Sequence, residues 1–329
     1  MNVANLSAKD FASAEEVRWC PGCGDYAILK AVRQALADIG RPPHEVVFVS
    51  GIGCAARFPY YLSTYGFHTI HGRAPSVATG VKLANPALDV WVVGGDGDFL
   101  SIGGNHLMHV LRRDVDLNLL LFNNAIYGLT KGQYSPTSPI GTRSPSSPSG
   151  SVEPPVNALK FALGAGASFV ARSVDAQQDH LPGVLVRAHA HKGAALVEIL
   201  QNCIIYHDGA FGPVGEKAHA AEASLRVVHG EAMLFGRERE LGLVFDPETG
   251  LFRVARPGVD CAPGDIARHD ETNPARATAL ATLGARAGEP TVLGVLYARP
   301  AGEAAGLSDL EPIAPMSRQT LARLIAGRR

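Results

Sequence analysis

Five stretches of this chain are apolar at nearly every position: EVVFVS (45–50), DVWVVGG (89–95), LNLLLFNN (117–124), SFVARS (168–173) and AALVEIL (194–200). A strand with no polar face needs cover on both sides, the environment of a parallel sheet between two helix layers. Segments of helical period lie between these runs. Across 25–39 the apolar residues Ile28, Ala31, Val32, Ala35, Leu36 and Ile39 share one face, and Gly40 and Pro42 stop the pattern. Further helices are expected near 74–85, 100–112, 157–164 and 177–191. Strands alternating with helices specify an α/β fold with a doubly wound, mostly parallel sheet. Such sheets bind ligands at the loops beyond the carboxyl ends of their strands.

The composition changes near residue 225. GLVFDPETGLFRV (242–254) reads as a hairpin with Pro247-Glu248-Thr249-Gly250 in its turn, followed by a helix near 273–286 and a strand, TVLGVLYA (291–298). This divides the chain into a functional domain, 1–225, and a smaller α+β C-terminal extension, 226–329. The Ser/Pro-rich stretch SPTSPIGTRSPSSPSG (135–150) reads as a mobile surface loop, or, because it follows a motif directly, as a lid.

The formal net charge is −1, so no long-range field favours nucleic acid or an anionic membrane. No apolar run approaches the roughly 20 residues that span a bilayer. The opening MNVANLSAKDFASAEEV lacks a basic region followed by an apolar core, and the expected location is cytoplasmic. There are five cysteines, an odd count that argues against a disulfide framework.

Gly94-Gly95-Asp96-Gly97-Asp98 follows the second apolar run, and Asn123-Asn124 closes the third. Glycines at a strand end let backbone N–H groups approach a phosphate, and a carboxylate there suits Mg²⁺, which prefers oxygen ligands. One crossover helix separates the two motifs, so they reach adjacent strand ends, where Asp96 and the Asn124 amide oxygen can share a metal. A plain turn is the alternative. The pair resembles the thiamine diphosphate signature. By that resemblance Asp96, the Asn124 side chain and the Ile126 carbonyl hold Mg²⁺. Gly97, Asp98, Gly128 and Leu129 line the diphosphate, with Gly95 and Thr130 beside them.

The cysteines form a second constellation. Cys20 and Cys23 stand three apart in RWCPGCG, just before the first helix; Cys54 in GIGCAA and Cys203 in QNCIIYHD each follow a strand. All four converge on one side of the sheet, and four thiolates suit zinc or iron–sulfur. Three readings stand: structural zinc, a redox dithiol at 20/23 that leaves Cys54 and Cys203 without a role, or a [4Fe–4S] cluster. A cluster beside thiamine makes chemical sense, because decarboxylating a 2-oxo acid leaves an electron-rich carbon whose electrons a cluster takes one at a time. Cys261 has no partner nearby in sequence.

WCPGCG, GIGC, HTIHGRAPSVATGVKLANP (68–86), GGDGDFLSIGGNH (94–106), NNAIYGLTKGQYSPTS (123–138) and the late Cys203 together resemble the β subunit of 2-oxoacid:ferredoxin oxidoreductases, over roughly residues 15–210. The resemblance implies a thiamine diphosphate-binding fold, with Cys20, Cys23, Cys54 and Cys203 as ligands of a [4Fe–4S] cluster. It implies a thiamine-contacting loop at Ile52, Gly53, Cys54 and Ala55, and a cofactor contact at His71. Arg57 stands where many relatives carry lysine, suited to a carboxylate of the oxo acid or an anionic part of coenzyme A. Lys131, in Thr130-Lys131-Gly132-Gln133, replaces a glycine of many pyruvate-using relatives, and an extra cation near the thiazolium favours 2-oxoglutarate. Only one diphosphate-type domain is present. The implied partner is an α subunit in an α₂β₂ assembly, with ferredoxin as acceptor and coenzyme A as co-substrate. The implied reaction is oxidative decarboxylation of 2-oxoglutarate to succinyl-coenzyme A, or its reverse. Alternatives are a pyruvate or broad-range enzyme of the same family, a redox-free thiamine-dependent decarboxylase subunit, or a non-catalytic metal-binding scaffold.

Overall fold

The computed structural model describes residues 6–216, 218–300 and 317–326. In chain order its elements are α1 (Asp25–Ile39), β1 (Val46–Ser50), β2 (Tyr65–His68), α2 (Ala74–Ala84), β3 (Asp89–Gly95), a π turn (Asp98–Ile102), α3 (Gly104–Arg112), β4 (Leu117–Asn123), α4 (Ala158–Gly164), β5 (Phe169–Val174), α5 (Leu181–Ala190) and β6 (Ala194–Leu200). There follow α6 (Ala220–Ala223), β7 (Ser224–Val227), β8 (Leu234–Phe235), β9 (Leu241–Asp246), β10 (Leu251–Ala255), α7 (Pro274–Leu280), β11 (Thr291–Ala298) and α8 (Arg318–Ile325). Gly40, in the left-handed region at φ 76°, ends α1 with its N–H on the Leu36 carbonyl, as the sequence pattern required.

Eight strands form one sheet in the order β2-β1-β3-β4-β6-β5-β11-β7. The six from β2 to β5 run parallel; β11 lies antiparallel to β5 and parallel to β7. A core on one face gathers Ala74 and Ala78 of α2, Leu107 and Leu111 of α3, Leu159 of α4 and Leu280 of α7 over Leu119 and Leu121. A core on the other face gathers Ile28 and Val32 of α1 and Leu181 and Leu185 of α5 over Leu120 and Phe122. Successive residues of β4 thus feed opposite cores, which is why its sequence shows no alternation.

The expected boundary after residue 225 falls inside β7. The later β11 completes the main sheet, and Leu225, Val292 and Leu296 are part of the first core. The extension is therefore a continuation of the same sheet, carrying a three-stranded β10-β9-β8 antiparallel annex built on the expected hairpin. Its segments at 301–316 and 327–329 lie outside the described residues, as do the first five residues of the N-terminal stretch read for a signal. Among the described residues no helix is long and apolar enough to cross a membrane.

Candidate active site

The parallel strands β2, β1, β3, β4 and β6 are consecutive neighbours and end on one side. In register, Gly95 pairs with Phe122 and Asn123 with Leu200, so Asp96, Asn124 and Gln201 leave the sheet within one residue of the same level. A cavity of about 100 Å³ opens there, lined by Ile52, Gly53, Cys54, Ala55, His71, Gly95, Asp96, Gly97, Asp98, Asn124, Ile126, Gly128, Leu129 and Thr130. Every residue expected from the diphosphate and thiamine-loop motifs borders it. Ligand cavities usually enclose about 300–1,000 Å³, so this one has room for only part of a cofactor-sized molecule.

Asp96 is 2% exposed. Burial pushes its carboxyl above the ordinary range, opposed by hydroxyls of Ser135 and Thr137, 2.5 and 2.6 Å from Oδ2. The Ser/Pro-rich segment therefore begins with hydroxyls seated on the metal-type carboxylate. The Ser138 hydroxyl adds a bond to the Ala125 carbonyl at 2.6 Å. A buried carboxylate at a strand end, with Asn124 beside it, fits a bound divalent cation, which would offset the cost of the buried charge. The Thr137 hydroxyl also lies 2.9 Å from Asn123 Oδ1; Asn123 donates to Glu198 at 2.7 Å, and Glu198 pairs with Arg172 at 2.6 Å. The motif thus continues as a buried polar chain from β3 to β5.

The thiols meet at the same strand ends. A Cβ added to Gly128 would lie 3.5 Å from Cys203 Sγ and 3.7 Å from Cys54 Sγ. Trp19 Nε1 donates to the Cys54 carbonyl at 2.8 Å, the Gly24 N–H to the Asn202 carbonyl at 3.1 Å, and Gln201 Nε2 to Cys23 Sγ at 3.4 Å. These bonds stitch together the three segments that carry Cys20, Cys23, Cys54 and Cys203. Burial first, then Asp25, Cys203 and Cys20, pushes the Cys54 thiol up to about 12. Burial and the charges of Asp25, Cys54 and Cys203 likewise raise the Cys23 thiol. Cys20 is exposed at the outer edge of the group. Among the described residues no three His, Cys, Asp or Glu side chains are placed to hold a single metal ion.

Two expected residues stand apart. Arg57 does not line the cavity; its Nε donates to the Tyr61 hydroxyl at 3.0 Å and its guanidinium lies 6.0 Å from that ring's centroid, still close enough to Cys54 to lower its thiol. Lys131 does not line it either. It is exposed and sits at φ 77° in a turn closed by its own N–H on the Gly128 carbonyl at 3.0 Å. The turn carries Lys131 to the surface at the pocket's rim, whereas the family resemblance implies a place close to the thiazolium.

Sequence reasoning missed Asp25, Gln201 and Tyr127, all of which border the cavity. Asp25 is 2% exposed and burial raises its carboxyl to about 7. Its position as the first residue of a helix read as an ordinary helix start. A larger cavity, about 720 Å³, lined by Asp175, Asn202, Asp208 and Phe211, touches the thiol group only at Cys23.

Residues 51–199 match the thiamine pyrophosphate enzyme C-terminal TPP binding domain. The chain is 49% identical over 97% of its length, and 87% of the relative's, to the 2-oxoglutarate oxidoreductase subunit KorB of Mycobacterium tuberculosis. It belongs to the 2-oxoacid:ferredoxin oxidoreductase β subunits. A second member of this family, 2-oxoacid:ferredoxin oxidoreductase 1 subunit beta of Aeropyrum pernix, is 47% identical over 58% of the chain and 60% of its own length. The 2-oxoglutarate:ferredoxin oxidoreductase of Magnetococcus marinus, solved with 2-oxoglutarate, coenzyme A and succinyl-CoA bound, superposes on the whole chain and on 93% of its own with TM-score 0.74 at 31% identity. As an oxidoreductase β subunit, the chain belongs to a multi-subunit enzyme, and the partial cofactor cavity accords with that.

Proposed function

We propose that this β subunit binds Mg²⁺ and the diphosphate end of thiamine diphosphate, carries a [4Fe–4S] cluster on Cys20, Cys23, Cys54 and Cys203, and serves the oxidative decarboxylation of 2-oxoglutarate with coenzyme A. An α subunit, in an α₂β₂ assembly, completes the cofactor site, and ferredoxin takes the electrons. One observation supports the reading above all others: Cys54 borders the same cavity as Asp96 and Asn124, so a metal-bound diphosphate and a thiol-held cluster would be neighbours.

When bound, thiamine diphosphate supplies a carbanion-stabilising centre and the cluster a one-electron acceptor. The chain's own residues do the rest. Asp96, Asn124 and the Ile126 carbonyl would hold the metal. Gly97, Gly128 and Leu129 would line the diphosphate, and the Ile52–Ala55 loop and His71 would contact the thiamine end. Four thiolates suit an iron–sulfur cluster, whose one-electron chemistry a thiamine site can use. Lys131 at the rim offers a cation to the distal carboxylate of a dicarboxylic oxo acid; Arg57 sets the charge beside Cys54.

The test is a visible spectrum of the anaerobic chain with its partner subunit, before and after adding 2-oxoglutarate and coenzyme A. Bleaching of a brown protein supports cluster, cofactor and substrate together. Bleaching by pyruvate alone would keep the family and reject the substrate. A colourless intact protein would reject the cluster. Replacing Lys131 with Ala should raise KM for 2-oxoglutarate far more than for a monocarboxylic oxo acid.

A further inference from the structure

Asp98 follows the Gly-Asp-Gly motif and borders the cavity, yet its carboxylate is turned into the protein, with a side-chain exposure of 1%. Two glycines leave room for it: a Cβ on Gly51 would fall 1.9 Å from Oδ2, and one on Gly94 2.9 Å from it. Oδ1 accepts three contacts from two other strand ends. The Gly72 N–H donates at 2.8 Å, the Ile52 N–H at 3.2 Å, and His71 Nδ1 makes the third. Oδ2 has no partner.

A backbone N–H is always a donor. With two of them on Oδ1, that oxygen accepts whether or not the carboxyl is ionised, since a proton on the acid would sit on Oδ2. His71 Nδ1 must therefore carry the hydrogen of its own bond to Oδ1. The tautomer of a histidine is set by the bond its other nitrogen makes, so Nε2, across the ring, keeps its lone pair. His71 borders the cavity.

We propose that Asp98 is the positioning residue of this site: it locks His71 as the Nδ1–H tautomer, so that Nε2 meets the contents of the cavity as a hydrogen-bond acceptor. This rests on the reading that the cofactor end occupies the cavity. It gives Asp98 a different task from lining the diphosphate. It also explains why one acid serves three loops: the bonds that orient the ring also fix Ile52 and Gly72 around it.

The test is long-range ¹H–¹⁵N NMR of the full chain labelled at histidine, without cofactor, near pH 8, with His71→Gln used to assign the signal. Wild type should show a protonated Nδ1 and an unprotonated Nε2. Asp98→Ala should move the proton to Nε2. Asp98→Asn, which keeps an acceptor oxygen in place, should retain the wild-type pattern. In the assembled enzyme Asp98→Ala should lower kcat at least about ten-fold while the half-saturating thiamine diphosphate concentration moves less than about three-fold; Asp98→Asn should recover most of the turnover. A protonated Nε2 of His71 in wild type, assigned with His71→Gln, overturns the proposal even if neither Asp98 variant folds. An Asp98→Ala enzyme with unchanged kcat and weakened cofactor binding overturns it in favour of a diphosphate contact. The NMR result is independent of substrate and cluster, so failure of the proposed reaction leaves it readable.

Discussion

Trp19 hands its indole N–H to the carbonyl of Cys54, a residue thirty-five positions later, at 2.8 Å. The bond joins the CPGC turn to the loop after β1, and the ring packs edge-on to Tyr61 and Tyr26 with centroids 4.8 and 5.6 Å away. Trp19→Phe keeps one aromatic ring but removes the donor and the second ring from a buried site. It should cost about 2–3 kcal/mol in chemical unfolding and, on the proposed cluster, lower the iron bound per chain, because two thiol-bearing segments lose their tie. Unaltered iron content in a folded Trp19→Phe protein would show that the bond does not organise the thiols.

Thr137→Val preserves shape at a buried position and takes a hydroxyl from Asp96 Oδ2. Partners that orient a metal ligand typically contribute 10–100-fold in metal affinity. The Mg²⁺ concentration needed for half-maximal cofactor binding should rise within about that range, and the loss of the hydroxyl from Asp96 and Asn123 should cost about 1–3 kcal/mol of stability. Equal Mg²⁺ dependence in wild type and variant would remove Thr137 from the metal's support.

Arg172 and Glu198 pair at 2.6 Å with side chains 10% and 2% exposed. Removing one member strands the other charge in the core. Glu198→Ala should destabilise by about 3–5 kcal/mol and free the Asn123 amide that Glu198 also accepts from. Urea unfolding of wild type and variant measures this directly.

His180 accepts from or donates to the Ser173 hydroxyl at 2.9 Å, and burial, with Arg226 nearby, lowers it from its ordinary 6.5 to about 4. The unfolded chain binds this proton first as pH falls. The native state therefore loses stability from pH 6.5 down to 4, by at most on the order of 3 kcal/mol, and gains none above 6.5. His180→Gln should flatten that part of the stability profile; an identical slope in the variant would assign the acid sensitivity elsewhere.

Much of this was written in the sequence because buried strands and glycine-rich strand ends are strong local signals. The helix 25–39 and the runs that became β1, β3, β4, β5 and β6 appear where their apolar patterns placed them. β2 carried no such signal: Tyr65, Gly66, Phe67 and His68 are all exposed. The expected helix from 100 begins instead with a π turn, since Asp98 must reach back to Ile52 and Gly72. Spacing brought Cys54 and Cys203 to neighbouring loops. Spacing could not show that a left-handed turn leaves Lys131 exposed, or that Arg57 rests on Tyr61.

The place of β11 bears on how the molecule is made. β5 has β6 on one side and β11 on the other, and β7 pairs with β11 alone. While the ribosome is still adding residues 175–290, β5 presents an open edge and β7 has no neighbour at all. Such an edge invites pairing with another chain. β11 takes its place only when 291–298 arrives and fits between them, so a nascent chain halted before that point is an aggregation hazard, and a protein cut of its last third would keep its six parallel strands while leaving β5 as a bare edge.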